Sequence, residues 1–284
     1  MRLVVTGASG FVGAHFCLQA SGRHELVGLH HATALQLPGV APLRLDLRDP
    51  RAAAKLRALK PDWIVHFAFK VKGAGAAEAN RRMMDAVLGA EVPVAYASST
   101  VVHWARPTAY GAARSADEAR LRAASVPSVI LRPSAPYGPR LLSHRPAHRE
   151  SFETLARLVR WSPVVPLIGD GNYRRQPIHV RDFAEAMLAC MAGPAPRVAV
   201  DAGGGAALSF REIIAALAAA AGRRPRLLPV PKAVFVALAR RQPNFDPELI
   251  DAVDADELAD PGPLEAATGL RMRPFAEGAA ELLR

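Results

Sequence analysis

Gly7, Gly10 and Gly13 recur at three-residue spacing in Thr-Gly-Ala-Ser-Gly-Phe-Val-Gly, directly after the apolar run Leu3-Val4-Val5. Each omits a side chain for its own reason. Gly7 permits a tight turn off a strand, Gly10 lets the backbone come close to a diphosphate, and Gly13 lets the next helix pack on the sheet. A helix starting near Phe11 then points unpaired amides, and the positive end of its dipole, at that anion. The chemistry implied is dinucleotide binding, because the glycines lie between a first strand and a first helix. An ordinary strand-to-helix turn is the bland alternative.

Such a loop needs a sheet behind it, and the chain reads as one. Apolar strand-like runs, Leu3–Val5, Glu25–His30, Pro42–Leu45, Trp63–Phe67, Val92–Ala97, Val129–Leu131 and Val198–Val200, alternate with Ala-rich helical stretches. The helices are expected over Phe11 to Ser21, Arg51–Leu59, Ala76–Gly89, Tyr110–Ala124, Ser151 to Trp161, Asp182–Met191 and Phe210–Ala221. Asp49 is the expected N-cap of the second helix, with Pro50 in first position. Ser209 and Glu212 stand at capping-box spacing before the last. The alternation predicts an α/β, Rossmann-type doubly wound parallel sheet. Residues 1–137 and about 176–220 would form the dinucleotide-binding domain, and 138–175 with 221–284 a smaller C-terminal substrate lobe.

Bulk properties narrow the function classes. The 284 residues, half of them hydrophobic, suffice for a full α/β core and a lobe beyond it. No apolar run approaches the roughly 20 residues of a membrane helix, and no secretory pattern precedes the first strand, so a cytoplasmic location is expected. Cys17 and Cys190 sit in apolar helical contexts and read as buried thiols; no metal site is expected. The net charge is +10. Its basic residues are scattered and only 6% of residues are aromatic, which argues against nucleic acid and for a positive pocket facing a phosphate-bearing small molecule.

Taken in order, TGASGFVG at 6–13, Asp46, HFAF at 66–69, Asn80, YASST at 96–100, YGAAR at 110–114, LRPSAPYGP at 131–139 and GDGNYRRQPIHVRDFAEAM at 169–187 form a pattern. It resembles the extended short-chain dehydrogenase/reductase family, the NAD-dependent epimerase/dehydratase-like group, as an atypical member. The resemblance assigns cofactor binding to Gly7, Ser9, Gly10, Phe11, Val12, Gly13, His30, Asp46, Leu47, Phe67, Ala68, Phe69 and Pro133. Asp46 would accept from the adenine amino group, Phe67–Phe69 would border the ribose and diphosphate, and Pro133 with Ser134 would lie near the nicotinamide. The second strand ends Leu29-His30-His31 without an acid, which favours NADP over NAD. Asp182 reads as a structural helix-start residue.

The resemblance also implies a catalytic set. Tyr110 would be the acid/base and Ser99, with Thr100 as its neighbour, would hold the substrate oxygen. The family's Lys, which binds the nicotinamide ribose and favours the ionised phenol, is Arg114 here. Arg114 either takes over that charge or pairs with Glu118 one turn on and braces the helix. The stretch between Ser99 and Tyr110 is shorter than usual in the family. The expected activity is an NAD(P)-dependent oxidoreductase or epimerase working by hydride transfer at a carbinol carbon, a nucleotide sugar being the candidate substrate and Arg140, Arg174 and Arg175 its candidate phosphate contacts. The alternative is a catalytically impaired NAD(P)-binding sensor or assembly protein. By analogy, a homodimer would form through the helices at 76–89 and 110–124.

Overall fold

β1 (Arg2–Thr6) is apolar on both faces: Leu3 and Val5 enter one core and Val4 the other, all fully buried. A strand of that kind belongs in the middle of a sheet covered on both sides. In the computed structural model, which describes residues 1–141, 151–193, 197–239, 241 and 254–283, it does lie there. It pairs in parallel with β2 (Glu25–His30) and β4 (Trp63–His66). With β3 (Ala41–Arg44), β5 (Val94–Ala97), β6 (Ser128–Pro133) and β9 (Arg197–Ala202) the order is β3-β2-β1-β4-β5-β6-β9, all parallel. α1 (Phe11–Ala20) and α6 (Val180–Ala192) cover one face; α2 (Ala52–Ala58), α3 (Ala76–Leu88) and α4 (Ala109–Ala123) cover the other. Strand order reverses between β1 and β4, so the loops leaving their C-terminal ends open one crevice.

The second lobe has its own core. Tyr137, Phe152 of α5 (Ser151–Trp161), Ile213 and Leu217 of α7 (Phe210–Ala220) and Phe275 of α10 (Phe275–Ala279) pack together. Two small sheets support it. β7 (Val164–Ile168) pairs in parallel with β11 (Arg226–Val230), and β8 (Arg174–Arg175) antiparallel with β10 (Leu208–Ser209). None of these four was expected: proline or arginine interrupts β7, β8 and β11, and β10 is two residues long. α8 (Lys232–Ala239) follows β11. Leu264 of α9 (Gly262–Thr268) and Met272 join the sheet core instead. Side chains therefore cross the boundary expected near residue 220 in both directions, α7 toward the lobe and α9 toward the sheet.

Local corrections have local causes. Asp49 does not cap α2. Its carboxylate accepts from the Arg51 amide at 2.8 Å and from Lys55 Nζ at 2.8 Å, closing a turn before the helix begins at Ala52. Ser209 and Glu212 do make the reciprocal capping box of α7. Cys17 and Cys190 are buried free thiols. Among the described residues no helix is long and apolar enough to cross a membrane.

Candidate functional site

The glycine loop leaves β1 with Gly7 at φ +64°, and the amide of Gly10 donates to the Gly7 carbonyl at 2.8 Å. A Cβ on Gly7 would stand 2.6 Å from the Ala68 nitrogen. One on Gly13 would stand 2.3 Å from the Gly7 carbonyl oxygen. Gly13 is thus required by the loop itself, and not by helix-to-sheet packing as the spacing suggested. Gly10 is the N-cap of α1, supplies no side-chain cap, and no acid occupies the first turn. The opening amides of α1 are left for an outside acceptor. The geometry fits a dinucleotide diphosphate. Ser9 lies half-buried within the loop, Phe11 packs edge-on to His15, and Val12 borders the central cavity.

The loop after β4 is held from beneath. Thr6 Oγ1 meets His66 Nδ1 at 2.7 Å and accepts from the Ala68 amide at 3.2 Å. Burial, and then the charge of Arg114, push the His66 pKa down to about 3, so the ring stays neutral. Asn80, 3% exposed, accepts from the Lys70 amide and donates to its carbonyl, fixing the chain beyond Phe69. Phe67 packs on Phe16 of α1, with ring centroids 5.3 Å apart. Two residues beyond β3, Asp46 receives both Arg48 Nε and Nη2, at 2.8 and 2.7 Å, and His31 Nε2 lies 3.4 Å away. Those Arg48 hydrogen bonds hold the Asp46 pKa down to about 2. His30 Nδ1 and Ser134 Oγ are buried without partners, two polar atoms that a bound cofactor could satisfy. The Leu47 side chain belongs to the core, which leaves only its backbone for a ligand.

Ser99, Tyr110 and Arg114 converge on one cavity of about 680 Å³, together with Val12, Phe67 and Pro133. Ser99 caps a short 3-10 turn (Thr100–His103), accepting from the Val101 amide. Thr108, which the sequence reading missed, caps α4 by accepting from the Gly111 amide at 3.0 Å, and so sets Tyr110 in the first turn. Arg114 sits one turn on, 7% exposed. Its Nε donates to the Tyr110 hydroxyl at 3.2 Å, while Nη1 donates to the Tyr96 hydroxyl at 3.1 Å and to the Ala97 carbonyl at 2.6 Å. Phe69 lies beneath the guanidinium at 3.8 Å and meets Tyr110 edge-on. Phe69 is therefore committed to this cluster.

Burial opposes the charge of Arg114, but the Tyr110 and Tyr96 phenols outweigh it and the pKa is raised. Tyr96 in turn donates to Asp117 at 3.0 Å. Burial pushes the Asp117 pKa up to about 6, against the hydrogen bond from Tyr96 and the charge of Arg114. The pairing of Arg114 with Glu118 does not form. Glu118 accepts from Arg132 Nε and Nη2, both at 2.8 Å, and from Ser98 and Arg122, because Arg132 on β6 reaches it first as a planar fork. Asp182 is likewise structural, clamping Arg273 through its Nε and Nη2. Of the three candidate phosphate arginines, only Arg175 borders the cavity; Arg140 and Arg174 are exposed. Tyr96 and Asp117 went unrecognised as site residues because neither matters until Arg114 is seen to need partners.

Sequence and structure comparisons place this geometry among known proteins. The sequence model of the NAD dependent epimerase/dehydratase family matches residues 3–200. A dTDP-4-dehydro-6-deoxy-D-allose reductase of Streptomyces bikiniensis is 29% identical over 322 aligned positions, spanning 94% of this chain and 93% of the relative. The UDP-glucose 4-epimerase of Thermus thermophilus, solved with NAD, superposes with a TM-score of 0.76 at 23% identity, covering 100% of this chain and 98% of that one. The Bifidobacterium longum UDP-glucose 4-epimerase, solved with NAD+ and UDP, gives 0.77 at 20% identity, with 100% and 97% covered. The family model covers more than half of the sequence, and the chain belongs to the NAD dependent epimerase/dehydratase family.

Proposed function

We propose that this enzyme oxidises or epimerises a carbinol carbon of a nucleotide sugar, the bound nicotinamide supplying hydride exchange. The observation that carries the reading is the convergence of Ser99, Tyr110 and Arg114 on one cavity whose other wall is Val12, Phe67 and Pro133. Tyr110 exchanges a proton between its phenol oxygen and the substrate hydroxyl. Ser99 orients that oxygen, and Arg114 holds a positive charge 3.2 Å from the phenol oxygen. In the glycine loop, Gly7, Ser9, Gly10 and Gly13 with the first amides of α1 hold the diphosphate, and Asp46 holds the adenine end. The activities of the sugar reductase and the sugar epimerases that resemble this chain support the substrate class.

A turnover screen of nucleotide sugars with either cofactor tests the proposal. Tyr110→Phe should lower kcat by at least about a hundredfold while leaving cofactor affinity within twofold. Retained turnover in that variant removes Tyr110 from the chemistry. The second reading, cofactor binding without turnover, is favoured by one observation: Nη1 of Arg114 is engaged by Tyr96 and Ala97 within the protein. Under it, no carbonyl or carbinol is turned over, and Arg114→Lys changes nothing measurable.

For the cofactor we infer NADP, because β2 ends on His30 and continues into His31, without an acid at its end to repel a 2′-phosphate. Calorimetry should show NADPH binding more tightly than NADH, and a tenfold preference for NADH would reverse the assignment. A homodimer through α3 and α4 is proposed by analogy alone, and light scattering on the purified chain tests it.

A further inference from the structure

One side chain on the cavity wall has no part in the proposed hydride and proton transfers. Glu257 comes from the C-terminal part of the chain, in the segment 254–260, and borders the same cavity as Ser99 and Tyr110. Its position is built. The Glu257 amide donates to the Arg174 carbonyl at 2.9 Å, Asp256 accepts from the Arg174 amide at 2.7 Å, and the Ala259 amide donates to Gln176 at 3.0 Å. These bonds stitch the segment along residues 174–176, and the Glu257 side chain is left 13% exposed.

The carboxylate is only partly satisfied by the protein. Oε1 accepts from Thr100 Oγ1 at 2.5 Å, and Oε2 lies 3.8 Å from Arg175 Nε, an ion pair beyond hydrogen-bond reach. A carboxylate offers about four acceptor positions, so most of them are open. The same cavity is lined by the apolar side chains of Trp104, Phe152, Leu155, Ile168 and Phe210. Charge–dipole contacts strengthen in such surroundings, and an unpaired ligand charge of the same sign is penalised. Arg175 offsets part of the charge, but its Nη1 already donates to the Arg174 and Ala255 carbonyls.

We propose that Glu257 determines substrate specificity by accepting a hydrogen bond from a hydroxyl or ammonium substituent of the sugar, and by excluding a sugar that carries a carboxylate there. The proposal rests on the nucleotide-sugar reading and deepens it, since it states which sugars the cavity admits. Thr100 acts as a positioning residue that holds Glu257 against the wall.

The test compares a neutral nucleotide hexose with the uronate of the same nucleotide, by calorimetry and by kcat/KM, with wild type, Glu257→Gln and Glu257→Asp. Wild type should favour the neutral sugar by tenfold or more. Glu257→Gln, which keeps an acceptor without the charge, should shrink that preference by about tenfold, mainly by admitting the uronate. Glu257→Asp keeps the charge, and should therefore still reject the uronate while its KM for the neutral sugar rises. Unchanged cofactor affinity in both variants shows that they are folded. A preference that Glu257→Gln does not move, in an enzyme that does bind nucleotide sugars, overturns the role of Glu257 and leaves the substrate reading standing. Failure of wild type to bind either sugar while binding cofactor overturns the substrate reading, and this inference with it.

Discussion

The glycine loop at residues 7–13 and the Tyr110 cluster face one crevice and are built by opposite means. The loop works by omission. A methyl group at Gly7 or Gly13 would meet backbone at 2.6 or 2.3 Å, so recognition is left to amides whose positions follow from β1 and α1. The cluster works by filling space. Phe69, Tyr96, Tyr110, Arg114 and Asp117 come from the loop after β4, from β5 and from α4, and each exists there as a partner of another. A backbone-built site tolerates no extra atom. A site built from side chains can hold a buried arginine such as Arg114, provided that something receives its donors, and here Tyr96 and the Ala97 carbonyl do.

Gly13→Ala strikes the less forgiving region and should have the largest effect of these tests. Calorimetry should show cofactor binding weakened by more than tenfold, with a fall of several degrees in Tm, because the obstructing atom is backbone. Affinity within twofold of wild type would show that the loop yields, and the contrast between the two regions would be lost.

Tyr96→Phe probes the more tolerant region. It removes one of two acceptors from Arg114 Nη1, so kcat should fall about three- to tenfold with KM nearly unchanged, the worth of one hydrogen bond. A double-mutant cycle with Arg114→Lys should show coupling of about 0.5 kcal/mol or more. Strict additivity would mean that the two residues are neighbours only.

Asp117→Asn should have the smallest effect on activity, with kcat within about twofold of wild type, and a stability effect confined to a pH window. Burial raises the Asp117 pKa from 3.8 to about 6, opposed by Tyr96, Arg114 and Arg120 and reinforced by Asp85. The folded chain therefore keeps this proton over a range in which the unfolded chain has lost it. The stabilising contribution is complete below pH 3.8 and is lost as pH rises through about 6. Relative to wild type, Asp117→Asn should gain on the order of 2 kcal/mol between those limits, read from urea midpoints at pH 4 and pH 7. His15 and His66, held neutral by burial down to about 4 and about 3, bend both profiles the opposite way and cancel in the difference. A flat difference would remove the buried carboxylate from the account.

Strands and helices of the first two-thirds were legible because their apolar periods are long and are separated by turn residues. Phe11 to Ser21 and Tyr110–Ala124 fall within one residue of the observed helices. Legibility failed where neighbours, and not periodicity, make an element. β8 is two arginines that become a strand only through pairing with Leu208–Ser209, and β7 contains a proline tolerated in a two-stranded sheet. The same division runs through the site. Ser99, Tyr110 and Arg114 lie in one stretch of chain, so their order could be compared with a family. Glu257 has no such marker, being brought to Thr100 across 157 positions of sequence.

From its residues alone, the chain determined an α/β order, a glycine loop between β1 and α1 and the place of Ser99, Tyr110 and Arg114 in the chain, because each depends on spacing within a turn or two of backbone. The folded arrangement decided which atom the Arg114 guanidinium serves, that Glu118 answers to Arg132, and that one carboxylate from the far end of the chain borders the cavity of Ser99 and Tyr110. Buried charge has to find partners wherever packing leaves them, and packing joins elements whose separation along the chain carries no record of their distance in space.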